Sequence, residues 1–203
     1  MLKLRPLISM PPARGVEEMW EKYLPLLHKE ARAARGRHYQ YRGVHVGGAA
    51  LVAKRVDGRL VFTILTGANR KFVEGIDPDR LCAEMDIADQ AFRTGWEFIV
   101  GFVIYGPSHA DDSTGIDLGS MIMCGHCRND SRSLQGLSSL VTRETRFVSV
   151  NVETNKTNTL TVGAILDMCG GENDPAISLY MPRSTRAWRG GFLVLYETKH
   201  PSS

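Results

Sequence analysis

Between Val16 and about Arg35, apolar residues fall at Val16, Met19, Trp20, Tyr23, Leu24 and Leu27. That spacing gathers them on one side of a helix whose other side is rich in Glu, Lys and Arg. Pro25 lies inside the stretch and is expected to bend it. After Gly36 the pattern changes to apolar runs, Val44 to Lys54 and Leu60 to Thr66, joined through Val56-Asp57-Gly58-Arg59. Asp-Gly between such runs signals a tight turn, hence an antiparallel pair. A turn-rich stretch, Gly75 to Asp79, leads to Leu81, Met85, Ala88 and Phe92 at helical spacing, ended by Gly95. Phe98 to Tyr105 reads as a buried strand and Gly106 to Ser120 as polar loop. The apolar run Met121-Ile122-Met123 precedes a cysteine pair, a helix to about Leu140, and a strand from Phe147 to Val152. A short helix and a last strand, Gly191 to Tyr196, complete the order. Helices interleaved with strands in this way predict an α/β architecture, a mixed sheet with helices on its faces.

Composition narrows the class. The chain has 203 residues, 43% apolar and 23% charged, with no apolar run of membrane-spanning length. One folded domain with extensions is expected, divided as 1–37 (N-terminal extension and first helix), 38–170 (the central domain) and 171–203 (a C-terminal extension packing on it). Prolines break up the N-terminal apolar residues, so no secretory signal is read and the expected compartment is cytoplasmic. A net charge of +3 permits an anionic ligand but lacks the basic bias of many nucleic-acid binders.

The four cysteines are too few for a disulfide scaffold, and three are spaced as metal ligands. Cys124 and Cys127 sit three apart, so at the start of a helix both sulfurs can face one point. Cys82 and Glu84, two apart, would diverge in a regular helix, which places Cys82 at the frayed first turn. Helix N-termini favour thiolate there. Three protein ligands leave a tetrahedral zinc one open position, where a bound water becomes acidic and a neighbouring carboxylate, Glu84, can move its proton. The plainer alternatives are a closed zinc site or a redox pair with Cys82 merely buried. A closed site needs a fourth ligand, and Cys169 and His109 lack matching spacing.

Cys82-Ala83-Glu84 with Cys124-Gly125-His126-Cys127-Arg128 resembles the signature of the cytidine deaminase superfamily in its all-thiolate form. Three further segments resemble that family: Tyr41 to Gly47 at the entry to the first strand, Gly67-Ala68-Asn69 before the metal helix, and Thr161 to Leu166 near the C-terminus. The resemblance covers roughly residues 38 to 170. It implies a three-layer α/β/α cytidine deaminase-like fold with a mixed five-stranded sheet, Zn2+ held by Cys82, Cys124 and Cys127, and Glu84 as the proton shuttle. It also implies hydrolytic removal of an exocyclic amine from an aminopyrimidine, a zinc-bound hydroxide being the nucleophile. Arg128 is implied as a partner of a ligand sulfur, and Asn69, Lys71, Val44 and Ala83 as substrate-binding positions. Assembly as a homotetramer or dimer is implied too.

Some positions depart from the family pattern. Lys71 stands where the family carries a carboxylate for ribose, Val44 where it carries a Phe beside the pyrimidine, and Met123 where it carries a Pro. Arg70 and Lys71 suit a phosphate, hence a nucleotide or other anionic substrate, while Glu74 offers a substitute carboxylate. An unusual aminopyrimidine of the blasticidin S kind fits equally. A polynucleotide-editing deaminase is the second reading, resting on the 183–189 cluster of cations with Trp188, which reads more simply as a charged loop. A zinc-stabilised binding protein without turnover is the third.

Overall fold

A computed structural model describes residues 13–37, 45–69, 82–108, 117–124, 127–128 and 140–169. The expected turn at 75–79, most of the expected helix running to Leu140, the strand Gly191 to Tyr196 and the whole 171–203 extension lie outside the described residues.

Helix α1 spans Ala13–Arg35 and runs on through Pro25, which occupies its exposed side. Its buried stripe, Val16, Trp20, Leu27, Ala31 and Ala34, follows helical periodicity. Strands β1 (Gly47–Val56) and β2 (Arg59–Ala68) form the expected hairpin, with Val56 paired to Arg59. Asp57 and Gly58 between them have φ of 50° and 75°, the left-handed pair that a two-residue turn needs and that Asp-Gly supplies at low cost. Next come α2 (Ala83–Arg93), β3 (Phe98–Gly106), β4 (Arg146–Asn151), β5 (Thr157–Thr161) and α3 (Val162–Met168).

The five strands form one mixed sheet in the order β2-β1-β3-β4-β5. Only β3 and β4 run parallel; the other neighbours are antiparallel. Alternation along the central strands divides the core between two faces. Ala49, Leu51, Ala53, Val100, Val103, Tyr105, Val148 and Val150 meet α1. On the other face Ala50, Val52, Ile99, Phe102, Ile104 and Phe147 pack with α2, α3 and the segment carrying the cysteine pair. The layers are therefore helix, sheet, helix, as expected.

The apolar run Met121 to Met123 is irregular, with Ile122 and Met123 buried against the core. One element differs from the sequence expectation. β5 is a strand where none was expected: Thr157-Asn158-Thr159-Leu160-Thr161 lacks apolar alternation because, among the described residues, it forms the sheet edge beside β4, with Thr157 and Thr159 exposed.

Candidate metal centre and active site

The start of β1 and the ends of β2 and β3 meet at one end of the sheet, where Gly47 pairs with both Ala68 and Tyr105. The first turn of α2 is pressed onto this end. A Cβ on Gly67 would stand 2.6 Å from the Ala83 carbonyl oxygen, so only glycine allows helix and strand to approach so closely. Asp86, buried in that turn, accepts a hydrogen bond from the Ala68 amide through Oδ2 at 3.2 Å, and Gln90 Nε2 donates to the Thr66 carbonyl at 2.9 Å. Asp86 escapes sequence reading, its only signal being an acidic residue four after Cys82 in the first helical turn.

Cys82 is the N-cap of α2, with extended φ and ψ of −71° and 159°, and the helix begins at Ala83. With this extended backbone Cys82 stands outside the regular helix that carries Glu84, as the two-residue spacing leads one to expect. Cys127 and Arg128 have helical geometry, and the Arg128 amide closes a turn onto the Cys124 carbonyl at 2.9 Å. Two chain segments distant in sequence thus bring three sulfurs together.

The sulfurs of Cys82, Cys124 and Cys127 all lie within 4.8 Å of one another, those of Cys82 and Cys124 being 3.3 Å apart. Thiolates around a tetrahedral zinc, with Zn–S of about 2.3 Å, stand roughly 3.8 Å apart, so the triangle suits that ion. The donor chemistry agrees. Hydrogen bonding to the sulfurs of Cys124 and Cys82, then burial and the field of those sulfurs, push the thiol of Cys127 well up, and the Cys82 thiol is raised chiefly by its own hydrogen bond with Cys124. Thiolates crowded in this way need a cation to stabilise them. Among the described residues the group that could hold a metal comprises these three ligands. Cys169 is fully buried in the same core but is not part of the group.

Glu84 lies on the first turn of α2, only 6% exposed. Burial, and secondarily the field of Cys124, push its carboxyl up to about 8, while its own backbone amide works in the opposite sense. Arg128 is fully buried, and its Nη1 donates to the Met123 carbonyl at 2.8 Å. That bond holds the chain just ahead of Cys124. Ala83 is fully buried beneath the β1–β2 end. Asn69 follows β2 and accepts from the Val46 amide through Oδ1 at 2.8 Å, while its own amide donates to the Val46 carbonyl at 3.0 Å. The structure therefore uses Asn69 to join the two strand ends at the rim of the site. Val44, Lys71, Arg70, Glu74, His109, His126 and the 183–189 cluster lie outside the described residues.

No family model matches the chain, and no curated protein matches it. Among solved structures it is similar to a cytidine deaminase from Burkholderia pseudomallei, with 22% identity over 70% of this chain and 94% of that one, at a TM-score of 0.48. A cytidine deaminase from Mycobacterium leprae gives 25% identity over 70% of this chain and 96% of that one, at a TM-score of 0.45. One from Mycobacterium tuberculosis gives 22% identity over 72% and 93%, at a TM-score of 0.43. The five-stranded mixed sheet and the three-cysteine cluster fit the zinc-dependent, cytidine deaminase-like superfamily that the two cysteine motifs resemble.

Proposed function

We propose that this protein is a zinc-dependent hydrolytic deaminase acting on a cytosine-type nucleoside, nucleotide or related aminopyrimidine. The observation that carries the reading is the convergence of Cys82, Cys124 and Cys127 around one point, with the buried carboxyl of Glu84 two residues from the first of them. A zinc ion bound by the three sulfurs would supply a Lewis acid and make a water in its fourth position acidic at neutral pH. In its ionised form, which a bound dication would favour, Glu84 takes a proton from the attacking water and gives it to the ring nitrogen beside the amine-bearing carbon. It then passes the second proton to the leaving amine, so water and the aminopyrimidine become the oxo product and ammonia. The burial of Glu84 excludes bulk water from these transfers.

Arg128, fully buried one residue after Cys127, tempers the net negative charge of three thiolates around a dication. Asn69 and Ala83 belong to the substrate side of the site, and the resemblance adds Val44 and Lys71, the latter favouring an anionic substrate. Cytoplasmic location and assembly into a homotetramer or dimer form part of the same proposal. The test is ammonia release from cytidine, deoxycytidine, their monophosphates, blasticidin S and a cytosine-containing oligonucleotide. Turnover of a monophosphate over its nucleoside supports the role given to Lys71. Turnover confined to the oligonucleotide replaces this reading with a polynucleotide-editing one, and zinc binding without any turnover replaces it with a binding protein.

A further inference from the structure

Of the three sulfurs, that of Cys124 is reached through irregular backbone. Cys82 caps a regular helix and Cys127 lies within a helical turn, whereas residues 121–124 have no regular structure. What holds this segment is a polar clamp just upstream. Asn158 of β5 stands directly opposite Ser149 of β4, so both side chains emerge on one face of the sheet. Asn158 Nδ2 donates to the Leu118 carbonyl at 2.9 Å and to Ser120 Oγ at 2.7 Å. Ser120 Oγ is also 2.7 Å from Ser149 Oγ, and Asn151 Nδ2 donates to the Gly119 carbonyl at 2.9 Å. Three consecutive residues of the loop are thus fastened to β4 and β5. Ser120, Ser149 and Asn151 are at most 1% exposed, and the Ser120–Ser149 bond is shielded from bulk water. A hydrogen-bonded network of this kind fixes one geometry, where apolar packing alone tolerates several.

We propose that Asn158 and Ser149 are positioning residues for the metal centre, fixing the loop whose next residues bring Cys124 to its partners. This inference rests on the reading of the three-cysteine cluster as a metal site. It explains why a short polar strand, contributing little to the core, sits at the sheet edge.

The test uses the full chain loaded with Co2+ in place of zinc, whose visible absorption reports the geometry of its thiolate ligands. Asn158→Leu and Ser149→Ala are compared with the wild type and with Ser149→Thr, which keeps the hydroxyl. The expected result is altered cobalt absorption and zinc affinity weakened about ten-fold or more in the first two, with near wild-type behaviour in Ser149→Thr. Unchanged spectra and zinc affinity in Asn158→Leu and Ser149→Ala, whatever their thermal stability, would overturn the inference. Should Asn158→Leu fail to fold, Ser149→Ala against Ser149→Thr decides alone. A wild-type chain that binds cobalt without thiolate absorption overturns the metal reading itself and this inference with it.

Discussion

Replacing Gly67 by alanine puts a methyl group where the first turn of α2 already sits. The new Cβ would stand 2.6 Å from the Ala83 carbonyl oxygen, 2.9 Å from Ile87 Cγ1 and 3.1 Å from Asp86 Cβ. The first of these is backbone, so no rotamer change relieves it. Ordinary contact begins at 3.4 Å, and strand and helix must part by about 0.8 Å to reach it. Overpacking of this kind costs about 1–3 kcal/mol. Restricting the unfolded chain by losing a glycine offsets about 0.4–1 kcal/mol of that. Strain therefore wins, leaving a net loss of roughly 1–2 kcal/mol, or a fall in Tm of roughly 2–8 °C for a chain of this size. The same displacement moves Cys82 and Glu84, which ride on that turn, and a misplacement near 1 Å lowers turnover by about 10²-fold. Thermal unfolding of the metal-free protein reads the first effect, and zinc competition with ammonia release reads the second. A Tm that rises in Gly67→Ala, with zinc affinity unchanged, would refute the close approach on which the site's geometry depends.

Other perturbations probe the remaining layers. Phe102→Ala removes a fully buried ring from the α2 face of the sheet and should cost about 3–5 kcal/mol in urea unfolding; a cost below about 1 kcal/mol would contradict the packing described. Asp86→Ala leaves the buried Ala68 amide without its carboxylate acceptor and should cost about 1–3 kcal/mol, whereas Asp86→Asn, which keeps an acceptor, should cost distinctly less. His28, whose Nδ1 is 2.9 Å from the Tyr105 hydroxyl, is held below its ordinary 6.5 by burial first and by Arg32 second. The unfolded chain thus takes up a proton that the folded chain resists. The stability this gives is complete above pH 6.5 and is lost as the pH falls through the folded-state value beneath it. A stability–pH profile should show that decline, and His28→Gln should flatten it; identical profiles would remove His28 from the account.

Much of this arrangement is legible in the sequence because it is local. The Asp57-Gly58 turn declares itself through the rarity of left-handed backbone. The cap position of Cys82 follows from the impossibility of aiming residues two apart at one point from within a helix. The α1 stripe and the buried run of β3 follow from periodicity and apolar content. What is not legible depends on partners distant in the chain. β5 carries polar residues because an edge strand needs no second apolar face, so its sequence looks like loop. Asn158, Ser149 and Ser120 look like ordinary surface residues until the pairing of β4 with β5 brings them under the metal loop. Asp86 shows no sign in sequence of the strand amide it receives. In the short apolar Met121-Ile122-Met123 run, Ile122 and Met123 are buried without being regular, held by side-chain packing and by the bond from Arg128 to the Met123 carbonyl.

The central claim is that three thiolates hold a metal and Glu84 moves the protons. Zinc content and ammonia release, measured together on the wild type, Glu84→Gln and Cys124→Ser, test it most directly. The account predicts one zinc per chain and turnover in the wild type. It predicts zinc retained with turnover lost in Glu84→Gln, and zinc lost in Cys124→Ser. Full turnover in Glu84→Gln, or undiminished zinc in Cys124→Ser, would contradict it.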